Sequence, residues 1–311
     1  MQFKRLLPNL KQNILLKNYT TFKIGGPAKY FYIAKTKDDL IKAIKLAKEY
    51  ALPFFILGGG SKLLVADEGY KGLIINFQLA HCSHTAIFNF QNSKIYVEAG
   101  MKLSDLIRLC LEKSLTGLEW AAGIPKATIG GAIRGNAGAF GQAMADMVVK
   151  VGVFDCLTLK VKQFNNSECK FDYRNSIFKQ NPNLVILSAE LKLKKDDKEK
   201  IKQEIKKVFD YRRSHHPMNF PSAGSIFENP RLRQGFGGQV KSQSAGSLIE
   251  QCGLKGKQIG KAQISEKHAN FIINLGGAEA SDVIQLIELA KQKVKQKFKV
   301  ELKEEVQYLG F

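Results

Sequence analysis

Two glycine-dense tracts are the first residues whose types and spacing point to chemistry. Gly58-Gly59-Gly60-Ser61 follows the apolar run Phe54-Phe55-Ile56-Leu57. Glycines reach positive φ and let ligand oxygens approach backbone N–H groups, and a nest of such groups binds pyrophosphate. A tight turn has the same composition, so this tract alone leaves both readings open. The second tract runs through Ala122-Gly123-Ile124-Pro125, Ile129-Gly130-Gly131-Ala132 and Gly135-Asn136-Ala137-Gly138-Ala139-Phe140-Gly141. Small residues at that density bring backbone close to something large and flat, or to other backbone. Two such tracts, each after apolar strand-like residues, favour a large dinucleotide. Neither tract is a G-x-G-x-x-G opening a helix, and the chain has no G-x-x-x-x-G-K-[ST], which argues against Rossmann and P-loop sites. Gly235-Phe236-Gly237-Gly238 has no strand before it and reads as a surface loop.

The elements that must carry these tracts alternate. Residues 30–34 read as a strand. Thr36 then caps a helix with Asp38 and Asp39 in its first turn, where the helix dipole favours carboxylates. Leu40, Ile41, Ile44 and Ala47 keep helical spacing, with Lys48 stretching over the apolar face. Residues 54–57 and 95–98 read as strands and 103–115 as a helix. Further strands are expected within 148–164, and 184–193 reads as a half-buried strand. Residues 198–209 form an amphipathic helix with Ile201, Ile205, Val208 and Phe209 inward. A new unit starts near Arg212. It holds a short helix over 247–252 ended by Gly253 and a strand over 271–274. Next comes a long helix capped by Ser281, with Val283, Leu286, Ile287, Ala290, Val294 and Phe298 in one stripe, and then a last strand over 306–309. The order implies an α+β fold, with two nucleotide-type lobes and a smaller third unit.

Length and composition bound the function. The 311 residues include 44% hydrophobic and 24% charged side chains, enough for a sizeable core and incompatible with wholesale disorder. Lys and Arg total 48 against 28 Asp and Glu, a net charge of +20. That fits a nucleic-acid binder, a membrane-surface protein or an enzyme for anionic substrates, or simply lysine-rich solvated faces. No apolar run approaches the roughly 18 residues of a spanning helix, and the N-terminal residues lack the apolar stretch of a signal peptide. The five cysteines are scattered with no C-x-x-C pair, arguing against a disulfide framework or zinc site and for a reducing, cytoplasmic compartment. Cys110 and Cys252 fall at helical apolar positions and are expected in the core.

Several motifs together carry a family resemblance. Thr20-Thr21-Phe22-Lys23-Ile24-Gly25-Gly26-Pro27-Ala28, Leu57-Gly58-Gly59-Gly60-Ser61, Ala122-Gly123-Ile124-Pro125 and Tyr173-Arg174-Asn175-Ser176-Ile177-Phe178 stand in order. They are followed by Pro221-Ser222-Ala223-Gly224-Ser225-Ile226-Phe227-Glu228-Asn229-Pro230, Leu248-Ile249-Glu250-Gln251, Lys267-His268-Ala269-Asn270-Phe271 and Glu305-Val306. The pattern resembles the UDP-N-acetylenolpyruvoylglucosamine reductase (MurB) family over about residues 18–310. The resemblance implies an enzyme of peptidoglycan precursor synthesis, with a two-lobed FAD-binding domain of the vanillyl-alcohol-oxidase (PCMH) type and a smaller C-terminal α+β substrate domain. The lobes would be 1–75, with the extreme C-terminus joining the first, and 76–211; the substrate domain would be 212–311. Tyr173-Arg174 runs through a short link into the strand from Leu184, so the chain resembles the shorter type of the family, without a tyrosine-bearing loop.

The reaction implied by the resemblance reduces an enol ether conjugated to a carboxylate. NADPH gives hydride to the non-covalently bound FAD, flavin N5 gives it to substrate C3, and C2 is then protonated. The resemblance matches Arg174 to the carboxylate-binding arginine, Ser225 to the proton donor and Glu305, rather than neighbouring Glu304, to the catalytic glutamate. Successive strand side chains face opposite ways, so one of the two glutamates can face a site. The same resemblance implies cofactor contacts at Gly58, Gly59, Gly60, Ser61, Gly123, Ile124, Pro125, Gly130, Gly131, Asn136, Ala137 and Gly138. It implies substrate contacts at Tyr173, Asn229 and His268, no metal, a small-molecule substrate, no nucleic-acid partner, no membrane insertion and a monomer. The chain departs from the family at Lys62, where Asn commonly follows the Gly-Gly-Gly-Ser step. It departs also at Lys126-Ala127-Thr128, at Gly135, at His215 and in an insertion over 231–244. A flavin oxidase of the same superfamily and a basic nucleic-acid binder are the competing readings. The first would consume oxygen without NADPH. The second needs a clustered basic face, whereas these lysines are interrupted by acids.

Overall fold

The computed structural model describes residues 5–77, the backbone of 86–89, and residues 94–230 and 243–311. The start of the N-terminal segment, Cys82, the Gly235–Gly238 loop and positions 231–242 of the expected insertion lie outside the described residues.

The chain forms two compact units. The first comprises Met1–Ile14, Ala28–Gly59 and Lys71–Tyr211; the second comprises Leu15–Pro27, Gly60–Tyr70 and Arg212–Phe311. Residues 1–75 therefore contribute to both units.

The first unit is built on two sheets. One is four-stranded, in the order Lys11–Leu15, Pro27–Ile33, Tyr70–Asn76, Phe54–Leu57. The last two strands run parallel, joining Phe54 to Leu73 and Leu57 to Asn76. Helix Lys37–Glu49 feeds strand Phe54–Leu57, and Thr36 caps it by accepting from Asp39 N, as the sequence implied. Lys48 Nζ reaches over the helix to donate to the Cys156 carbonyl.

The other sheet is five-stranded and antiparallel, in the order Lys160–Asn165, Val148–Asp155, Leu184–Lys192, Lys94–Glu98, Ala86–Asn89. The strand expected to be half-buried is instead the middle one, with Val185 to Ala189 all buried. A central strand with both faces covered need not alternate, and even Ser188 is accommodated, facing Gly152. Helix Leu103–Glu112 stops short of its expected end, because Ser114 turns to φ +55° and Leu115–Thr116 pairs with Lys194–Lys195. Helix Lys198–His215 buries Ile201 and Val208, but Phe209 is 43% exposed, off the inward stripe.

The second unit has an antiparallel sheet, Ser222–Ser225, Phe271–Asn274, Ala262–Ile264, Gln258–Ile259, and a parallel pair that sets Gln307–Leu309 beside Leu63–Val65. Helix Ala280–Phe298 buries Val283, Leu286, Ile287, Ala290 and Val294, the expected stripe. Its N-cap is Glu279 rather than Ser281. Asp282 accepts from Glu279 N, and the Asp67 carboxylate accepts from the N–H groups of Ala280 and Ser281, so Ser281 lies inside the first turn. Helix Ala245–Gln251 is capped by Ser244 and followed by Gly253 at φ +71°. Cys110 is buried and Cys252 half-buried against the apolar cores. Among the described residues, no helix is long and apolar enough to cross a membrane, and no group of His, Cys, Asp or Glu could hold a metal ion.

Candidate active site

In the first unit the two glycine tracts meet. Asn76, buried at the end of its strand, donates to the carbonyls of Leu57 (2.9 Å) and Gly58 (3.1 Å) and so fixes the exit of strand Phe54–Leu57. A Cβ on Gly58 would lie 2.5 Å from Thr128 Oγ1, and one on Gly59 would lie 1.5 Å from the Lys126 carbonyl oxygen. Glycine is required here because another backbone segment passes against it. In the second unit, Gly60 takes φ +63° against the Tyr19 carbonyl, and its own carbonyl accepts from Thr21 N. Gly59 and Gly60 are buried, and no described residue accepts from the N–H groups of Gly58, Gly59, Gly60 or Ser61. Buried N–H groups are almost always partnered, so the open donor of Gly59 in the first unit and that of Gly60 in the second are each suited to an anionic atom.

The second tract divides its donors differently. Helix Ile129–Arg134 opens with Ile129 N donating to Met101 O, Gly130 N to Ala99 O and Gly131 N to Thr128 Oγ1. Those groups are satisfied within the protein; what they do is hold the tract flat against residues 99–101. Gly123 at φ +82° turns the chain into the half-exposed Ile124 and exposed Pro125. Asn136 is buried at φ +40°, donates to Asp172 O (2.9 Å) and accepts from Ala145 N (3.0 Å). Ala137 N donates to Ala132 O, and Gly138 starts a small hairpin with Gln142–Ala143.

Arg174 belongs to the same assembly. Asp172 and Asn175 exchange backbone hydrogen bonds of 3.0 Å, leaving Tyr173 and Arg174 at the apex of a tight turn. Arg174 sits in the left-handed region at φ +54°, a conformation that non-glycine residues adopt at a cost and often at functional sites. Its Nη2 donates to the Gly138 carbonyl at 2.9 Å, and its guanidinium lies 4.9 Å from the Tyr173 ring centre. Ser176, fully buried, donates to Arg134 O and anchors the turn from its far side.

Ser225 and Glu305 come together in the second unit. Ser225 ends its strand opposite Phe271 after an irregularity that includes Gly224 at φ +72°. Glu305 N donates to Ile226 O at 2.7 Å, and Gln307 N donates to Lys62 O at 2.8 Å. Lys62 Nζ donates to the Ser225 carbonyl at 2.7 Å and lies 3.0 Å from Glu305 Oε1. Glu304 points the other way and pairs with Lys291 at 2.9 Å. Thr21 Oγ1 donates to Ser222 O, so the Thr-Thr-Phe motif buttresses this strand. Asn229 is exposed; its Oδ1 accepts from Ala245 N at the start of helix Ala245–Gln251. His268 accepts from Asn270 N, and its ring lies against Gly246, His216 and Phe271. Burial lowers the His268 pKa and takes that of His216 down to about 4, so both rings are neutral near pH 7.

Residues 28–157 match the FAD-binding-domain family, and residues 216–309 match the family described as UDP-N-acetylenolpyruvoylglucosamine reductase, C-terminal domain. A UDP-N-acetylenolpyruvoylglucosamine reductase of Caldanaerobacter subterraneus is 40% identical over 295 residues, 95% of this chain and 92% of that protein. The chain belongs to the UDP-N-acetylenolpyruvoylglucosamine reductase family.

The Bacillus subtilis reductase is 38% identical over 296 residues, 95% of this chain and 92% of its own length. The crystal structure of the Thermus caldophilus reductase superposes with a TM-score of 0.76 at 34% identity, covering 96% of this chain and 99% of that one. The chain is thus an FAD-dependent oxidoreductase with the α+β architecture of the reductase family. Two residues of the site were not recognised in its sequence. Lys62 stood out only as a departure from the family, and Asn270 only as one letter of a motif; neither carries a local signal for what it touches.

Proposed function

We propose that this chain reduces UDP-N-acetylglucosamine enolpyruvate to UDP-N-acetylmuramate, with NADPH as the electron source. When bound, FAD supplies the hydride that substrate C3 receives. Gly58 and Gly59 offer the pyrophosphate their N–H groups, and Gly123 to Pro125, Gly130, Gly131 and Asn136 to Gly138 form the surface beside it. Arg174 holds the substrate carboxylate. A guanidinium stays charged and forms paired hydrogen bonds, so it stabilises the charge that grows on that carboxylate as the double bond is reduced. Ser225 Oγ carries the proton for C2, and Glu305 stabilises the enolate-like centre. Tyr173 contacts the substrate, and Asn229 and His268 contact its sugar-nucleotide portion, His268 as a neutral ring.

The observation that carries this reading is the convergence of Ser225 and Glu305 on one ammonium, with Glu304 turned away. We take the enzyme to act as a cytoplasmic monomer. The buried thiols of Cys110, Cys156 and Cys169, pushed up to about 12, 11 and 12, are poor nucleophiles and fit a compartment without disulfides. Sedimentation velocity tests the monomer.

A visible absorption titration tests the activity. The purified protein is expected to be yellow, to bleach on adding NADPH and to recover its colour on adding the enolpyruvyl substrate. A colourless protein that FAD cannot reconstitute, or colour that returns only with oxygen, rejects the proposal.

A further inference from the structure

We propose that Lys62 is a positioning residue of the substrate-reducing centre, its ammonium holding the Ser225 carbonyl and the Glu305 carboxylate in one arrangement. This rests on the roles of Ser225 and Glu305 proposed above. Lys62 Nζ lies 2.7 Å from Ser225 O and 3.0 Å from Glu305 Oε1, so two of its three donor directions are committed to this pair. The contact is no ordinary surface ion pair, since the side chains are 34% and 14% exposed for Lys62 and Glu305. Surface pairs contribute little because solvent screens them; a shielded, hydrogen-bonded pair constrains its members far more.

The surrounding backbone makes room for the ammonium. Gly224, at φ +72°, presents no side chain; a Cβ there would lie 3.4 Å from Lys62 Nζ. The segment of Lys62 is itself tied to that of Glu305, through Gln307 N to Lys62 O and the parallel pairing of Leu63–Val65 with Gln307–Leu309. One lysine thus links the 60s segment, the Ser222–Ser225 strand and the C-terminal segment. An asparagine here would be uncharged and too short to make the same pair of contacts from the same Cα.

The experiment separates the two half-reactions by stopped flow in the flavin-loaded enzyme. Lys62→Met is expected to keep its flavin content and its rate of bleaching by NADPH, while colour recovery with substrate slows by about 100-fold, the scale of a catalytic group displaced by 1 Å. Lys62→Arg, which keeps the charge, is expected to restore most of the lost rate. Lys62→Met combined with Glu305→Gln is expected to be far less than multiplicative, because the two residues act as one unit. Normal recovery in Lys62→Met, an equal slowing of both half-reactions, no rescue by arginine, or multiplicative effects overturns the inference. Ser225→Ala and Glu305→Gln are the reference variants. If both recover colour at the normal rate, the reading of the centre itself fails; if both are slow and Lys62→Met is not, only the role of Lys62 fails.

Discussion

Asn270 closes on the backbone of Phe227 with both ends of its amide: Oδ1 accepts from Phe227 N at 2.9 Å, and Nδ2 donates to Phe227 O at 2.9 Å. The Asn270 carbonyl also accepts from Ile226 N. The asparagine therefore stands in for a strand neighbour where regular pairing breaks down, two residues beyond Ser225. Asn270→Ala leaves two buried backbone groups unpartnered, each costing about 1–3 kcal/mol. Urea unfolding is expected to show a loss of about 2–6 kcal/mol, with Ser225-dependent colour recovery slowed as well. A change within experimental error would mean that water replaces the amide and that the clamp is dispensable.

Arg174 is held by Gly138 O, by stacking on Tyr173 and by its own left-handed turn. Lysine keeps the charge but loses the planar fork. For Arg174→Lys, turnover is expected to fall by about 100-fold or more, the usual effect of losing one donor to developing charge, while the urea midpoint stays close to that of the parent. Near-normal turnover would show that only a positive charge is needed and that paired hydrogen bonds are not.

Gly59 has no room for a side chain, since its Cβ would sit 1.5 Å from the Lys126 carbonyl oxygen. Gly59→Ala must push the two glycine tracts apart. It is expected to lower both the melting temperature and the flavin bound per chain, read from the absorbance ratio of flavin to protein. Gly135→Ala is the control: its Cβ would lie 3.6 Å from the nearest atom, the Gly131 carbonyl oxygen, and Gly135 has an ordinary negative φ of −88°. If Gly59→Ala binds flavin as well as Gly135→Ala, the close approach does not shape the cofactor site.

What could be read from the sequence was local or periodic. The Thr36 cap depends on residues within one turn and the stripe from Val283 to Val294 on helical spacing. Glu304 and Glu305 do meet different lysines, but they precede the strand Gln307–Leu309, so strand alternation is not what separates them. What could not be read depended on distant partners. Lys62 meets Ser225 across 163 positions and Asn270 meets Phe227 across 43, and no spacing rule announces either. Alternation of Glu190 and Lys192 with apolar residues suggests a half-buried strand over Leu184–Lys192; its central place in the sheet decides otherwise. Apolarity places Phe209 inward with Ile201 and Val208, yet only the latter two reach the core and Phe209 is exposed. The catalytic assignments of Arg174, Ser225 and Glu305 came from motif resemblance, since each residue type alone is more often structural.

The neutral histidine pair gives the second unit a pH dependence of defined sign. His216 lies against His268 (ring centres 5.4 Å apart) and Phe271 (4.9 Å), and burial takes its pKa down from an ordinary 6.5 to about 4, with the neighbouring His268, Arg212, His215 and Lys267 acting in the same direction. A depressed folded-state pKa means that the unfolded chain binds the proton more readily. The stabilisation from keeping His216 neutral is therefore complete above pH 6.5 and is lost progressively as pH falls from 6.5 towards 4. His216→Phe keeps an aromatic ring in the same packing and removes the proton site. The melting temperature of the parent is expected to fall more steeply than that of His216→Phe between pH 6.5 and 4, with the two curves parallel above pH 7. Acid-labile carboxylate pairs elsewhere are common to both proteins and cancel in the difference. Equal slopes through the acid range would show that His216 protonates in the folded state as easily as in the unfolded one, and that the cluster of His216, His268 and Phe271 does not exclude the charged form.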